Sequence, residues 1–148
     1  MPETCGGNGF AMKALGTPQQ LVLITGAAGF IGSNLVEVLL ERGYSVIGID
    51  NLSHGALRNL EPHANHPRFV FLQEDVRNQE LLVAAGQGVT TIVHLAAFKI
   101  PRYGNALETL LINTRGTENV LKAALKHGCK VIFASTSDVY GKNPFPPF

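Results

Sequence analysis

Five short apolar runs alternate along this chain with segments whose apolar positions recur at helical spacing. The first run, Leu21 to Thr25, is aliphatic at almost every position and closes on Gly26, the pattern of a strand buried on both faces. Ile31, Leu35, Val38 and Leu39 follow at spacings of three and four, leaving Glu37, Glu41 and Arg42 for water, and Gly43 stands where a helix C-terminus favours glycine. They predict a helix of about three turns. Val46 to Ile49, Phe69 to Leu72, Ile92 to Leu95 and Val131 to Ala134 supply four more strands. Leu81, Leu82, Ala84 and Ala85 predict a short helix between the third and fourth strands, with Asn78 as N-cap and Gly86 as stop. Leu107, Leu110, Leu111, Thr114, Leu121 and Ala124 are expected on the buried face of a longer helix between the fourth and fifth, ending at Gly128. The connection from Asp50 to Arg68, with Asn51, Ser53, Gly55, Asn59, Pro62 and Pro67, reads as a surface loop holding a short helix.

Strands that alternate with helices imply a parallel sheet, because parallel neighbours need crossovers and those crossovers are helices. The expected class is therefore α/β, a doubly wound parallel sheet. With 148 residues, 45% of them hydrophobic and 16% charged, the chain can bury one sizeable core. Residues 1–20, rich in glycine, read as a flexible leader and 21–148 as the domain.

Charge and cysteine use narrow the chemistry. Twelve Lys plus Arg against 11 Asp plus Glu, spread without a basic block, give no expectation of a nucleic-acid face. No apolar run approaches the roughly 20 residues of a membrane helix, and the leader has no signal-peptide core, so the expected setting is cytoplasmic. Cys5 and Cys129 are too few for a disulfide framework, and His63 and His66, flanked by Pro62 and Pro67, lack companions for a metal site.

The informative segment is TGAAGFIG, Thr25 to Gly32, between the first strand and the first helix. Gly26 permits a tight turn, Gly29 lets a pyrophosphate approach the backbone, and Gly32 lets helix and strand pack closely, with the helix N-terminus facing the phosphates. Taken alone, the G-x-x-G-x-x-G spacing serves equally as a structural turn. Asp50 ends the second strand 24 residues after Gly26, where a carboxylate binds the adenosine ribose hydroxyls and favours NAD over NADP. The alternative for Asp50 is a turn aspartate before Asn51. Asp75, after the third strand, stands where a carboxylate could accept from an adenine amine.

Together these segments resemble the extended short-chain dehydrogenase/reductase superfamily, and within it the NAD-dependent sugar-nucleotide epimerase/dehydratase branch, UDP-glucose 4-epimerase-like, over about residues 20–148. TGAAGFIG matches the family's TGxxGFIG, the DNLS of Asp50 to Ser53 its second-strand motif, and the HLAA of His94 to Ala97 its fourth-strand motif. The resemblance implies a Rossmann fold, incomplete here at its C-terminal end. It places Gly26, Gly29, Phe30, Ile31, Gly32, Asp50, Asn51, Asp75, Val76, Leu95, Ala96, Ala97 and Lys99 around NAD, with Asn113 of NTRGT near the cofactor.

FASTSDVYG, Phe133 to Gly141, resembles the fifth-strand motif, in which a Ser or Thr four residues before the VYG tyrosine touches the substrate's reacting hydroxyl. That position is Thr136, the one catalytic residue the resemblance implies; Ser137 and Asp138 line the same turn, and Tyr140 is expected to pack. Without the resemblance the segment reads equally as a Ser/Thr-rich turn. The family's base is a tyrosine in a YxxxK motif, whose lysine lowers the phenol pKa. Tyr140 is followed four residues on by Pro144, Tyr103 by Leu107 and Tyr44 by Gly48, so this chain contains no YxxxK.

The expectation is the N-terminal, NAD-binding part of an enzyme that transiently oxidises a nucleotide sugar, inactive by itself. The complete enzyme would add the Tyr/Lys pair, a sixth strand, a substrate domain and a homodimer contact. The alternative is a non-catalytic NAD-binding module or sensor.

Overall fold

The computed structural model describes residues 21–98 and 105–141; the expected leader, Lys99, Tyr103, Pro144 and the side chains of Ser137 and Asp138 lie outside the described part. The elements run β1 (Leu21–Thr25), α1 (Phe30–Glu41), β2 (Ser45–Asp50), β3 (Phe69–Gln73), α2 (Gln79–Ala85), β4 (Thr91–His94), α3 (Ala106–His127) and β5 (Lys130–Phe133). The expected short helix in the long connection takes the form of two 3-10 turns, Leu57–Asn59 and Glu61–His63.

All five strands are parallel, in the order β3-β2-β1-β4-β5. The order reverses after β3, so the crevice between β1 and β4 is a topological switch point, where open α/β sheets bind ligands beyond the carboxyl ends of their strands. Register brings Thr25 level with Ile49 and His94, and the next β2 residue is Asp50. The candidate site thus begins where β1, β2 and β4 end together.

Alternate strand residues serve opposite faces of the sheet. Leu21, Leu23, Ile47, Ile49 and Ile92 pack on α2 and α3 through Leu82, Val120 and Ala123. Val22, Ile24, Val46 and Val93 pack on α1 through Val36 and Leu40, with Leu60 and Phe69 closing the side. Helices therefore cover both faces, which explains why the strands read as continuous apolar runs. The described part of β5 pairs with β4 alone, leaving Ile132 and Phe133 exposed.

Asn78 caps α2 by accepting from Leu81 N at 3.2 Å, and Gly128 ends α3 in the left-handed region at φ +69, both as the sequence predicts. Two helix faces differ from expectation. On α1 the buried line is Gly32, Val36 and Leu40, while Ile31 and Val38 are exposed. On α3 the buried residues are Thr109, Gly116, Asn119, Val120, Ala123 and Ala124, while Leu107, Leu110 and Leu121 are exposed. The cause is the same in both. A Cβ on Gly32 would collide with Gly26 O and Ala27 Cα, and one on Gly116 would lie 2.7 Å from Val76 Cγ2, so these contact lines need residues with no apolar signal. Among the described residues no helix is long and apolar enough to cross a membrane, and no cluster of three His, Cys, Asp or Glu could hold a metal.

Candidate functional site

Gly26 leaves β1 at φ +73, a conformation that L side chains rarely adopt, and a Cβ there would lie 2.8 Å from Ala96 N. Its N–H and that of Ala27 both donate to Ile49 O, at 2.8 and 3.2 Å, folding the turn onto the end of β2. Gly29 is the N-cap of α1, and a Cβ on it would meet only Gly26 O, at 3.3 Å. Of the motif's three glycines, Gly26 and Gly32 are demanded by the protein's own backbone, while Gly29 would meet a single tight contact.

No side chain caps α1, its first turn has no acidic residue, and Ser33 N is the first helical donor, bonding Gly29 O at 3.0 Å. The N–H groups of Phe30, Ile31 and Gly32 have no partner among the described residues. An uncapped helix N-terminus carries roughly half a positive charge and is suited to an anion.

Asp50 is 9% exposed. Its Oδ2 accepts from Ala28 N at 3.0 Å and its Oδ1 from Leu52 N at 2.8 Å, so the carboxylate ties the glycine turn to the loop after β2. The bond to Leu52 is the turn geometry of the alternative reading. An ionised carboxylate has about four acceptor positions, so two remain for a ligand. Leu52 sits at φ +61, a conformation costing a non-glycine residue roughly 1 kcal/mol, held by this bond.

Asp75 is more fully engaged. Its Oδ1 accepts from Arg77 N and Nε at 2.8 and 3.0 Å, and its Oδ2 from Arg77 Nη2 at 2.8 Å and Asn51 Nδ2 at 3.0 Å. The Arg77 side chain, chiefly, holds its pKa down at about 2. Because four donors already surround it, an adenine amine could bond Asp75 only by sharing or displacing one of them. Arg77 also reaches Glu108 in the first turn of α3 at 2.8 Å, and Asn119 donates to Val76 O and Arg77 O at 3.1 and 2.9 Å. The structure therefore brings Asn51, Asp75 and Val76 together and anchors them to α3.

Beyond β4, Leu95 N donates to Thr25 O at 3.1 Å and Ala96 N to Thr25 Oγ1 at 3.3 Å, while Ala97 is exposed. Asn113 clasps Phe98 in both directions, accepting from its N–H at 2.9 Å and donating to its carbonyl at 3.1 Å. Its amide thus acts on the loop rather than projecting free. His94, 2% exposed, lies between Thr25 Oγ1 at 2.6 Å and Thr117 Oγ1 at 3.2 Å, and burial pushes its pKa down to about 4. The loops after β2 and β4 touch through a T-shaped His54 and Phe98 pair with centroids 4.7 Å apart. Thr136 is exposed beyond β5, at the same edge of the sheet. Tyr140, expected to pack, keeps 76% of its surface exposed. A separate cleft of about 370 Å³ lies between α1 and the two 3-10 turns, lined by Phe30, Asn34, Glu37, Arg58 and His63, and shares only Phe30 with the expected cofactor residues.

Residues 22–147 match the sequence profile of the NAD dependent epimerase/dehydratase family. The chain belongs to that family. A UDP-glucuronic acid decarboxylase 4 of Arabidopsis thaliana is 39% identical over 122 residues, covering 81% of this chain and 26% of that protein. Among solved structures, a dTDP-glucose 4,6-dehydratase of Streptomyces venezuelae with NAD bound superposes with a TM-score of 0.78 at 35% identity, covering 86% of this chain and 43% of that one. A UDP-glucose-4-epimerase of Stenotrophomonas maltophila, with NAD and formylated UDP-arabinopyranose bound, gives 0.78 at 28% identity, covering 87% and 40%. The chain spans about a quarter of the decarboxylase's length and two fifths of the structures'.

Within this family's Rossmann-like fold, the sequence motifs converge on one edge of the sheet. The residues that motif reading passed over are those that brace them. Arg77 and Asn119 carry no motif, and Thr117 and His94 were noticed only as letters of NTRGT and HLAA. The available signal for His94 was a polar residue closing an apolar strand.

Proposed function

We propose that residues 21–148 form the NAD-binding part of an enzyme that converts a nucleotide sugar. The observation that carries this reading is the uncapped N-terminus of α1 over Gly29, at the switch point of a parallel sheet. Three N–H groups without a partner among the described residues, no acidic side chain in the first turn, and a glycine at the N-cap suit a pyrophosphate. Asp50 would take the ribose hydroxyls with its remaining acceptor positions, and the Leu95 to Phe98 loop would border the other nucleotide half. NAD, when bound, supplies a hydride acceptor that can return the hydride within one turnover.

The chain's own residues bind and orient. Thr136, exposed at the same edge, is assigned to the substrate's reacting hydroxyl. An unactivated hydroxyl is a poor base near neutral pH, and the chain has no YxxxK, so we assign it no base of its own.

Titration calorimetry with both dinucleotides tests the binding reading. A 2′-phosphate within about 5 Å of the Asp50 carboxylate meets roughly 3 kcal/mol of repulsion at an effective dielectric near 20, reduced by salt. NAD should bind at least about 30-fold more tightly than NADP. Equal or tighter NADP binding would overturn the role given to Asp50, and binding of neither would overturn the reading. Incubating the chain with NAD and UDP- or dTDP-sugars should give no turnover above a protein-free control; turnover would reveal a base among these residues and exclude a non-catalytic module.

A further inference from the structure

We propose that His94 is a positioning residue for the half of the site opposite adenosine, a neutral imidazole protonated on Nε2 that holds both ends of the Leu95 to Phe98 loop at once. The proposal rests on the NAD reading above. The proton positions follow from counting hydrogens, since a threonine hydroxyl has one. Thr117 Oγ1 donates to Asn113 O at 2.7 Å, so toward His94 Nε2, 3.2 Å away, it can only accept, and Nε2 carries the hydrogen. Nδ1 of a neutral ring is then bare and must accept from Thr25 Oγ1 at 2.6 Å. Thr25 Oγ1 in turn receives Ala96 N–H at 3.3 Å.

The result is one directional chain: Ala96 N–H to Thr25, Thr25 to His94, His94 to Thr117, Thr117 to Asn113. One end holds the loop directly, Ala96 N–H on Thr25 Oγ1; the other ends on the main-chain carbonyl of Asn113, the residue whose side-chain amide clasps both backbone groups of Phe98. His94 is the link between these anchors, and burial of the ring keeps it in the uncharged form that the chain requires. Gly116 brings α3 close enough, since a Cβ there would stand 4.0 Å from His94 Cε1.

The loop follows β4, across the switch point from Asp50 and Asp75. A dinucleotide lies across such a crevice with adenosine on the side of β2, so loosening the loop should weaken contacts to the second nucleotide and spare the first. ADP carries only the adenosine half, which makes it the reference ligand.

His94→Phe keeps a ring of similar shape and removes both bonds. His94→Gln can still accept through Oε1 and donate through Nε2. In the 148-residue chain, His94→Phe should weaken NAD binding by about tenfold or more, change ADP binding by less than about twofold, and speed amide hydrogen exchange at Ala96 and Phe98. His94→Gln should restore most of each. Thr117→Val, which cuts one arm only, should give a smaller loss in the same direction and covers the case in which the Phe variant fails to fold. Equal losses of NAD and ADP would mean a general scaffold role, and unchanged NAD binding with unchanged exchange would mean no role; either overturns the proposal. A wild-type chain that binds neither ligand would instead overturn the NAD reading on which it rests.

Discussion

The glycine turn offers a perturbation in which folding and binding should separate. Gly29 has φ −75 and ψ 172, extended backbone open to any residue, and a Cβ there touches only Gly26 O at 3.3 Å. Gly29→Val therefore costs the fold a poorer N-cap, about 1 kcal/mol or roughly 2–4 °C in Tm for a domain of this size, plus the small shift that relieves the contact with Gly26 O. Its branched side chain would occupy the space over the Phe30 and Ile31 N–H groups. If two hydrogen bonds to a charged pyrophosphate are lost at about 1.5–3 kcal/mol each, binding should fall by a factor of roughly 10² to 10⁴. Gly32→Ala is the contrast: its Cβ would lie 2.8 Å from Ala27 Cα and 2.9 Å from Gly26 C, backbone atoms that cannot swing aside. Overpacking of that kind costs about 1–3 kcal/mol, so Tm should drop several degrees more than for the Gly29 variant. Circular dichroism melts and NAD calorimetry on both variants are the assay. A Gly29→Val chain that still binds NAD, or that loses its fold along with binding, would refute the assignment of Gly29 to the ligand.

Two further expectations follow from the bracing residues. Asp75 has its folded pKa lowered to about 2, so its stabilisation is present above its unfolded value near 4 and is lost as pH falls through about 2; Arg77→Met should flatten the stability change between pH 4 and 2, and an unchanged slope in urea titrations would contradict the pairing. Asn119→Ala strips hydrogen bonds from Val76 O and Arg77 O at a buried position, costing about 2–3 kcal/mol in chemical denaturation, and a loss below about 0.5 kcal/mol would show that water replaces them.

What the sequence made legible is what it encodes over short range. The strands are continuous apolar runs because both faces of the sheet are covered, and all five appear within a residue of their expected bounds. β2 gains a residue at each end, Ser45 and Asp50, both buried. The glycine turn was legible for the same reason, since Gly26 answers to a local positive φ and Gly32 to the backbone of Gly26 and Ala27, a few residues away. The helix faces were not, because closeness at Gly32 and Gly116 replaces apolar side chains by their absence, and Thr109 and Asn119 are buried for hydrogen bonds rather than for hydrophobicity. Hydrophobic periodicity points to Leu107, Leu110 and Leu121 instead, which lie exposed. Within the site, Asp50 was readable from position and its bond from Leu52 from the turn alternative, but its bond from Ala28, 22 residues away, was not. The bond from Asn51 to Asp75 and the link from Thr25 through His94 to Thr117 join residues 24, 69 and 23 apart, a separation at which local pattern carries no information.

The central claim is that the backbone at the start of α1 receives an anionic dinucleotide. Titrating NAD into isotopically labelled chain while following backbone amide resonances tests it most directly. The account predicts the largest shifts at Phe30, Ile31 and Gly32, with smaller ones at Leu52 and across the crevice at Ala96 and Ala97. Shifts confined to the cleft around Arg58 and His63, or none at saturating NAD, would contradict it.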